Sequence, residues 1–473
     1  MALSSTRAST RTLSHVLLSG HNLLSPPAST RSTSLTGPAR QSPSNPALTP
    51  ASYSAWLAAV GREADTEEPY RIRPAGIAGG GGHQLLAYRN YEGVDRVLAL
   101  GRNETGQLGV GFASQEGTRG LVEGFEGDEV LAVRAGVQSS YLLVRDGDST
   151  TLYSMGNLAR GRLGHPALFP PQHQLDEHEE PRQYTLPRAT AIQLPEDIGR
   201  IKQIEAGFEH LLVLTESGDI FGTGCNTDGQ LGLGSASSDI YQLTRVPLPR
   251  EIAKSGGVES ISAGADTSAL VTREGTVWVW GNSEYCQGMH GEKIDQILSP
   301  LAIDSSCLPS NRRMIDYRCG GSFALALDDR GSVYSAGYGA LGLGMDVLQA
   351  RKPQRIEELE DEGISRIRAG WGYAAAVRDA ATDSALFLWG LNTLHGRLGL
   401  GALPPSRQST SDPYAPPAVP THVHTPQRVH LPLRELGLDG SVAGRENATW
   451  ALGEVELGSE AMWVALEAEE EVD

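Results

Sequence analysis

The histidines and serines that could do chemistry form no recognised catalytic or metal-binding motif. His165, His173 and His178 lie near one another in a proline-rich stretch, but their spacing matches no strong zinc-ligand pattern. Ser322 follows two glycines and lacks the G-x-S-x-G elbow of serine hydrolases. No G-x-x-x-x-G-K-[ST] loop is present, so the chain is not itself a P-loop nucleotide hydrolase. We therefore expect no catalytic residue, no bound metal and no cofactor.

The composition favours a large packed domain with many tight turns. The 473 residues include 56 glycines, yet 39% are hydrophobic, which is ample for a core. The formal net charge of −18 opposes binding to nucleic acid and to anionic membranes. The four cysteines form no C-x-x-C pair and are typical of free thiols in a reducing compartment; they are Cys225, Cys286, Cys307 and Cys319.

The first fifty residues differ in composition from the rest. They contain four arginines, many Ser and Thr, and no acid before Glu63. Leu13 and Leu17 stand one helical turn apart beside Val16 and Leu18. Such a basic, acid-free, amphipathic start is typical of a mitochondrial presequence, with a disordered tail as the alternative. We therefore assign residues 1–50 to a presequence or disordered segment. Removing its four arginines takes the net charge from −18 to −22.

Beyond residue 50 one unit recurs along the chain. Each copy has a small residue and a glycine, an apolar strand, a turn with Gly, a second strand and a Gly-rich tail. The opening pairs are Ala78-Gly79, Ala135-Gly136, Ala206-Gly207, Ala263-Gly264, Cys319-Gly320, Ala369-Gly370 and Ala443-Gly444. Units spaced 50 to 74 residues apart, with a hairpin each, predict a β-propeller with one blade per unit. We predict an all-β, seven-bladed propeller over residues 51–466, followed by a solvated acidic tail at 467–473.

The seventh unit predicts how the ring closes. It has strands near residues 448–452 and 461–466 but lacks a G-Q-L-G tail, whereas the strand-like residues 55–61 belong to no repeat. We predict that this N-terminal strand completes the seventh blade, because an open sheet would expose an edge. Two long intervals, residues 165–191 and 402–429, mark insertions. We expect disorder in both, with a functional loop as the alternative.

The repeated glycines and tails resemble a known family. The opening glycines Gly136, Gly207, Gly264, Gly320, Gly370 and Gly444, with the G-Q-L-G tails at 106–109 and 229–232, are similar to regulator of chromosome condensation repeats. Residues 280–285 with Gln287, 337–342 and 239–241 most resemble a mitochondrial member of that family. This resemblance implies the propeller fold and a mitochondrial location, in the matrix or peripherally at the inner membrane.

The same resemblance implies function by surface loops. One hypothesis is guanine-nucleotide exchange on a mitochondrial GTPase, such as a dynamin-like fusion GTPase. An exchange factor binds the nucleotide-free GTPase more tightly than the loaded form, and by linkage it weakens nucleotide binding by the same factor. Acidic side chains suit this role, because they can draw the P-loop lysine away from phosphate. The candidate partner-binding residues, which are otherwise ordinary turn residues, are Asp228, Asp239, Tyr241, Asn282, Glu284 and Tyr285.

The hypothesis we favour is a scaffold that binds protein partners in mitochondrial ribosome and large-subunit RNA maturation, as the mitochondrial resemblance implies. Basic ribosomal proteins would suit the acidic chain. Direct RNA contact would require basic patches such as Arg312-Arg313 or Arg351-Lys352 to gather on one face. A chaperone for a respiratory complex, with peripheral membrane association, is a third interpretation. We expect a monomer and no DNA binding.

Overall fold

The computed structural model describes residues 9–21, 44–50, 71–90, 92–168, 184–237, 239–304, 306–309, 311–380, 383–393, 396–401, 421–434, 449–459 and 461–472. The strands in these ranges form seven four-stranded antiparallel sheets, so the predicted seven-bladed all-β propeller is confirmed. In the part of the chain described, no helix is long and apolar enough to cross a membrane.

The strands follow one another blade by blade. The chain starts with β1 (Ser9–His21) and β2 (Ser44–Pro50). Blade one comprises β3 (Arg71–Gly79), β4 (His83–Arg89), β5 (Asp95–Asn103) and β6 (Ser114–Leu121). Blade two comprises β7 (Glu129–Ala135), β8 (Ser139–Asp146), β9 (Ser149–Asn157) and β10 (Thr185–Ala191). Blade three comprises β11 (Ile201–Ala206), β12 (His210–Thr215), β13 (Ile220–Gly224) and β14 (Ile240–Arg245).

The remaining blades repeat this order. Blade four comprises β15 (Val258–Ala263), β16 (Thr267–Thr272), β17 (Val277–Asn282) and β18 (Gln296–Ala302). Blade five comprises β19 (Met314–Cys319), β20 (Phe323–Asp328), β21 (Val333–Tyr338) and β22 (Gln349–Arg355). Blade six comprises β23 (Arg366–Ala369), β24 (Tyr373–Arg378), β25 (Ala385–Leu391) and β26 (His422–Arg428). Blade seven contains β27 (Thr449–Leu457) and β28 (Ala461–Val472). Short helical segments are α1 (Arg250–Lys254) and single turns at Ala159–Gly161, Pro166–Leu168 and Glu357–Leu359.

The up-and-down order of each sheet gives the propeller two distinct faces. In blades one to six, the turn after the first strand and the loop after the third strand lie at the same end, which we call the upper face. The turn after the second strand and the connection to the next blade lie at the other end, the lower face. The second strands, such as β12 and β20, are buried along their whole length, as expected for strands covered on both sides. The outer strands, such as β14, are partly exposed.

The opening glycines are explained by contacts between neighbouring blades. The backbone N–H of Val137 donates to the carbonyl of Phe208 at 3.0 Å, and that of Phe208 donates to the carbonyl of Ala265 at 3.2 Å. A Cβ on Gly207 would lie 2.5 Å from the carbonyl oxygen of Gly264 in the next blade. The first turns therefore approach one another too closely for a side chain at this position.

Two of the seven predicted glycine positions need correction. In blade one the equivalent residue is Gly80, whose N–H donates to His83 at 2.9 Å, and not Gly79. In blade seven the equivalent residue is Gly458, whose N–H donates to Ala461 at 3.0 Å. The predicted Gly444 lies outside the described residues. Both differences have the same cause: the prediction required a small residue before the glycine, whereas Gly458 follows Leu457 and Gly80 stands within a run of glycines.

The Gly-rich tails fill the space between blades. Their leucines are fully buried: Leu108, Leu163, Leu231, Leu341 and Leu398. The carbonyl of Gln230, beside one of these leucines, accepts a hydrogen bond at 2.9 Å from the indole N–H of Trp280 in the next blade. The carbonyl of Ala340 accepts one at 3.0 Å from Trp389 in the same way. Each tail therefore joins its own blade to the following one.

An N-terminal strand closes the ring, as predicted, but it is β1. The seventh sheet has the order β2-β1-β28-β27, and β1 pairs with β28 from Ser9 opposite Val472 to Gly20 opposite Ala461. Leu17 packs in the cluster shared with blade six, whereas Val16 and Leu18 pack in the cluster shared with blade one. The side chains therefore alternate between two faces, as in a strand buried on both sides, although their spacing also matches a helical turn.

The sheet limits differ from the predicted domain limits at both ends. Residues 9–21 and 44–50, which the sequence predicts to lie outside the domain, form strands of blade seven. The strand predicted at residues 55–61 lies outside the described residues. The predicted acidic tail from residue 467 onward is the end of β28, which pairs there with both β1 and β27. The two insertions are narrower than predicted, because their last residues form the outer strands β10 and β26. Residues 169–183 and 402–420 lie outside the described residues.

Candidate protein-binding face

Charged side chains from the innermost strands line the central channel. The channel contains a cavity of about 280 Å³ bordered by Arg134, Glu205, Arg318, Arg368 and Glu456, among others. Arg134 donates to Glu205 at 3.1 and 3.2 Å, and Arg318 lies 3.8 Å from the same carboxylate. These charges come from different blades and neutralise one another. The channel network is therefore best explained as a part of the structure that joins the blades at the centre.

The channel carboxylates have opposite pKa shifts. Burial raises the pKa of Glu456 to about 7, against the opposing effects of Arg134, the Gly79 N–H and Arg368. Burial also disfavours the charged form of Glu205, but Arg134 and Arg318 outweigh it and lower the pKa of Glu205. The two pKa values shift in opposite directions because the Glu205 carboxylate accepts two hydrogen bonds from the Arg134 guanidinium. The Glu456 carboxylate accepts a hydrogen bond from the backbone N–H of Gly79 at 3.1 Å.

Two aromatic rings lie over the channel at the upper face. Phe208 and Trp371 directly follow the opening glycines Gly207 and Gly370 in the first turns of blades three and six. Their ring centroids are 4.0 Å apart at an interplanar angle of 58°. These blades stand across the ring from each other, so the aromatic pair bridges the mouth of the channel.

The six sequence-predicted residues lie on or next to the upper face, in blades three and four. The Asp228 carboxylate accepts from Gln296 at 3.0 Å and from Asn282 at 3.5 Å, which connects the two blades. Asp239 forms an ion pair with Arg160 of blade two at 3.1 Å. Burial, followed by the charge of Asp239, raises the pKa of the neighbouring Tyr241.

The predicted residues Glu284 and Tyr285 belong to the loop after β17. The backbone N–H of Glu284 donates to the Asn282 side chain at 3.1 Å, and that of Tyr285 donates to Gln287 at 3.0 Å. These bonds hold the loop while leaving both side chains exposed. Asn282 is therefore a structural anchor, whereas Glu284 and Tyr285 are available for contact.

Carboxylates crowd the upper face beside the channel mouth. The pKa of Asp266, in the first turn of blade four, is raised to about 6 by burial and then by the charges of Asp228 and Glu209. Arg160 is the nearby cation, but it is already engaged with Asp239 at 3.1 Å and Glu209 at 3.6 Å. Among the described residues, neither Asp228 nor Asp266 forms a salt bridge.

An exposed apolar strip crosses the upper face of blades four to six, and sequence reasoning found only one of its members. The strip consists of Tyr285, Tyr338, Met345, Leu348 and Leu391. A signal was available in the sequence. Tyr338 and Leu391 directly follow the last glycine of the third strand, where blades three and four have Cys225 and Asn282. Cys225 is buried at this position, whereas the larger Tyr338 and Leu391 are exposed.

Three buried histidines have structural contacts. His83 and His210 are buried and bond to Ser140 at 2.9 Å and Ser268 at 3.0 Å in the next blade; burial lowers the pKa of each to about 4. His165 bonds to Ser154 at 3.0 Å, and His173 and His178 lie outside the described residues. In the ranges described, no group of three His, Cys, Asp or Glu side chains could hold a metal.

The repeated glycines, the inter-blade tails and the seven sheets define a propeller of the regulator of chromosome condensation type. An RCC1-like domain model matches residues 77–430. The chain therefore belongs to the RCC1-like domain family.

Several proteins of known sequence are similar to this chain. The ultraviolet-B receptor UVR8 of Arabidopsis thaliana is 30% identical over 65% of this chain and 63% of its own length. The human RCC1-like G exchanging factor-like protein is 28% identical over 71% of this chain and 72% of its own length. The mitochondrial RCC1 domain-containing protein RUG3 of Arabidopsis thaliana is 29% identical over 64% of this chain. The chain thus spans 63% of the length of both UVR8 and RUG3.

The fold is also similar to a solved structure. The crystal structure of human WBSCR16 superposes with a TM-score of 0.67 at 23% identity, covering 96% of this chain and 98% of that one. This likeness supports the fold.

Proposed function

We propose that this chain is a mitochondrial binding platform that holds protein partners during maturation of the large ribosomal subunit and its RNA. The observation that carries the proposal is the upper face, where exposed apolar side chains lie beside carboxylates that form no salt bridge among the described residues. Such a surface suits basic protein partners, including ribosomal proteins. The similarity to the mitochondrial protein RUG3 supports the location.

The platform proposal can be tested in mitochondria with the full-length tagged chain. We expect it to be imported, to cosediment with large-subunit precursors and to crosslink to ribosomal or RNA-modifying proteins through its upper face. The control is a chain of the same length with Glu216→Lys and Glu274→Lys, two exposed lower-face residues, which should behave like the wild type. Exclusion from mitochondria, or absence from every large-subunit precursor, would refute the proposal.

A second candidate function is guanine-nucleotide exchange on a mitochondrial GTPase. It is favoured by the similarity to the RCC1-like G exchanging factor-like protein and by the position of Asp228, Asp239 and Glu284 near one another on one face. The chain would act without a nucleophile, by stabilising the nucleotide-free GTPase.

Release of fluorescent GDP from mitochondrial GTPases distinguishes the two functions. If the chain is an exchange factor, it accelerates release, and an Asp239→Ala/Glu284→Ala variant loses the acceleration. A Glu216→Ala/Glu274→Ala variant on the lower face serves as the matched control and should retain it. No acceleration with any candidate GTPase would leave the platform as the sole proposal.

A further inference from the structure

The apolar strip on the upper face has a composition that points to a particular kind of partner. We propose that the strip, defined as Tyr285, Tyr338, Met345, Leu348 and Leu391, with the adjoining Glu284 and Asp346, is a docking site for a basic protein segment that carries apolar side chains. This inference rests on the proposed platform function and specifies the partner's chemistry and the position of its contact.

The members of the strip lie on neighbouring upper-face loops of blades four to six. The rings of Tyr285 and Tyr338 have centroids 5.6 Å apart at 33°, which joins blade four to blade five. The backbone N–H of Gly339 donates to the carbonyl of Leu348 at 3.0 Å, and that of Gly344 donates to His424 of blade six at 3.1 Å. Leu391 lies beside the first turn of blade six, with its N–H bonded to Gly372 at 2.7 Å.

The exposure of these side chains is not required by the fold. Tyr285 is 37%, Tyr338 is 47% and Leu391 is 50% exposed, although each lies on a well-bonded loop or strand end. Neighbouring repeats place Cys225 and Asn282 at the position of Tyr338 and Leu391, so the fold accepts other residues there. Clustered exposed apolar side chains on a folded domain mark interaction surfaces.

The charged side chains in and beside the strip indicate the chemistry of its partner. Glu284 and Asp346 are exposed within the strip, and among the described residues neither forms a salt bridge. Arg351 and Lys352 of β22 in blade five are also exposed, but Asp228 and Asp266 add negative charge toward the channel mouth, and the whole chain has a net charge of −18. A segment with Arg or Lys between apolar residues would satisfy both features, because guanidinium and ammonium groups bind carboxylates and the faces of tyrosine rings. A second copy of this chain would bring like charges together and is disfavoured.

The probe for this site is a labelled synthetic peptide in which arginine alternates with leucine. Its binding to the full-length chain is measured by fluorescence anisotropy, alongside a peptide with glutamate in place of arginine and another with alanine in place of leucine. We expect the arginine–leucine peptide to bind at least tenfold more tightly than either, and its affinity to fall with rising salt.

Substitutions locate the peptide on the face. Tyr338→Ser/Leu391→Ser and, separately, Glu284→Lys/Asp346→Lys should each weaken binding about tenfold or more. The matched controls are Phe112→Ser and Glu116→Lys, which are similarly exposed but lie in blade one; they should bind like the wild type. All four variants must first show the wild-type melting temperature, which their exposed positions predict.

Other outcomes overturn the inference without deciding the platform function. Equal binding by the strip variants and the controls would place the contact elsewhere, and tight binding of the glutamate–leucine peptide would remove charge as the selector. Concentration-dependent dimerisation lost in Tyr338→Ser/Leu391→Ser would identify a second copy as the occupant. Cosedimentation of the same variants with large-subunit precursors is scored separately, so the platform can survive a failure of the docking site.

Discussion

The upper and lower faces are built from the same repeats but differ in which of their charged side chains form ion pairs. On the lower face, acids and bases pair within the face. Arg366 binds Asp379 at 2.7 Å, Arg245 binds Asp197 and Asp219 at 2.6 Å each, and Arg428 binds Asp383 at 2.6 Å. The upper face also contains ion pairs, such as Arg160 with Asp239 at 3.1 Å, but among the described residues Glu284 and Asp346, which adjoin the apolar strip, form none.

Because of this difference, we expect the paired charges of the lower face to contribute to stability and the unpaired carboxylates of the upper face to contribute to binding. Charges that are neutralised inside one face offer little to a partner, because a new contact would have to break an existing one. Uncompensated carboxylates beside apolar side chains gain from association with a basic surface. The two basic pairs named above for RNA contact differ: Arg312 is paired with Asp328 at 3.2 Å, whereas Arg351 and Lys352 are exposed on β22.

The largest loss of stability is expected from a substitution in the strand that closes the ring, because both faces depend on ring closure. Leu17→Ala removes a fully buried side chain between blade seven and blade six, and we expect a loss of about 2–5 kcal/mol in the free energy of unfolding. Denaturant unfolding measures the loss. Leu301→Ala, at an exposed position on β18, is the control, and an equal effect of the two substitutions would contradict closure by β1.

The same strand gives a prediction for import. A mature chain that began after residue 50 would lack β1, so we expect the protein isolated from mitochondria to retain residues 9–21. Mass spectrometry of its N-terminal peptide decides this. A mature N-terminus beyond residue 21, in a chain that melts cooperatively, would show that the blade is completed in another way.

The next prediction compares the loss of stability caused by replacing one glycine on each face. A Cβ on Gly207, in the first turn of blade three at the upper face, would meet the His210 ring of the same turn at 2.1 Å and the Gly264 carbonyl of the next blade at 2.5 Å. Gly147, in a lower-face hairpin with φ of 55°, has open space around it. We expect Gly207→Ala to cost roughly 2–4 kcal/mol and Gly147→Ala about 1 kcal/mol, from its backbone conformation alone. Thermal and denaturant unfolding of both variants test the ring of close turns; equal costs would refute it.

The repeats made the fold predictable, because each blade carries the same signals. The pair Ala206-Gly207, the apolar run at 211–214 and the tail at Gly229–Gly232 specify a close turn, a buried strand and an inter-blade plug. Blade seven was predicted less well because it is assembled from distant segments. Its strand β1 carries Val16, Leu17 and Leu18 in a context rich in Ser and Arg, and the burial of both faces is visible only once blades six and one are in place.

The candidate site was predicted only in part for a related reason. Asp228, Asp239 and Glu284 were proposed because they lie in or near loops between strands and in segments that resemble the family, and their role stays a prediction. Tyr338 and Leu391 were missed because an apolar residue after a strand is ordinarily taken as core. Their exposure depends on where the third strand ends relative to the neighbouring blade, which is a property of the assembled ring.

A smaller effect is expected from pH at the channel, which lies between the two faces. The pKa of Glu456 is raised from 4.5 to about 7 by burial, so the folded protein keeps a proton that the unfolded chain releases. The protonated Glu456 side chain therefore contributes to the free energy of unfolding below pH 4.5, and this contribution is lost as the pH rises to about 7. We expect Glu456→Gln to gain roughly 1–3 kcal/mol relative to the wild type across this range. Urea unfolding at several pH values measures the difference; a constant difference would contradict the raised pKa.

The smallest change in stability is expected from single charged residues, and it distinguishes the two faces most directly. Arg378, on the lower face, pairs with Glu362 and Asp383, so Arg378→Ala should cost about 0.5–1 kcal/mol of stability and leave binding of the arginine–leucine peptide unchanged. Glu284→Lys should do the reverse, because the Glu284 side chain is exposed and outside any salt bridge of the described residues, yet it borders the apolar strip. Denaturant unfolding and peptide anisotropy on the same two samples give the four values. If both substitutions changed stability and binding together, the separation of a self-paired lower face from a binding upper face would be wrong.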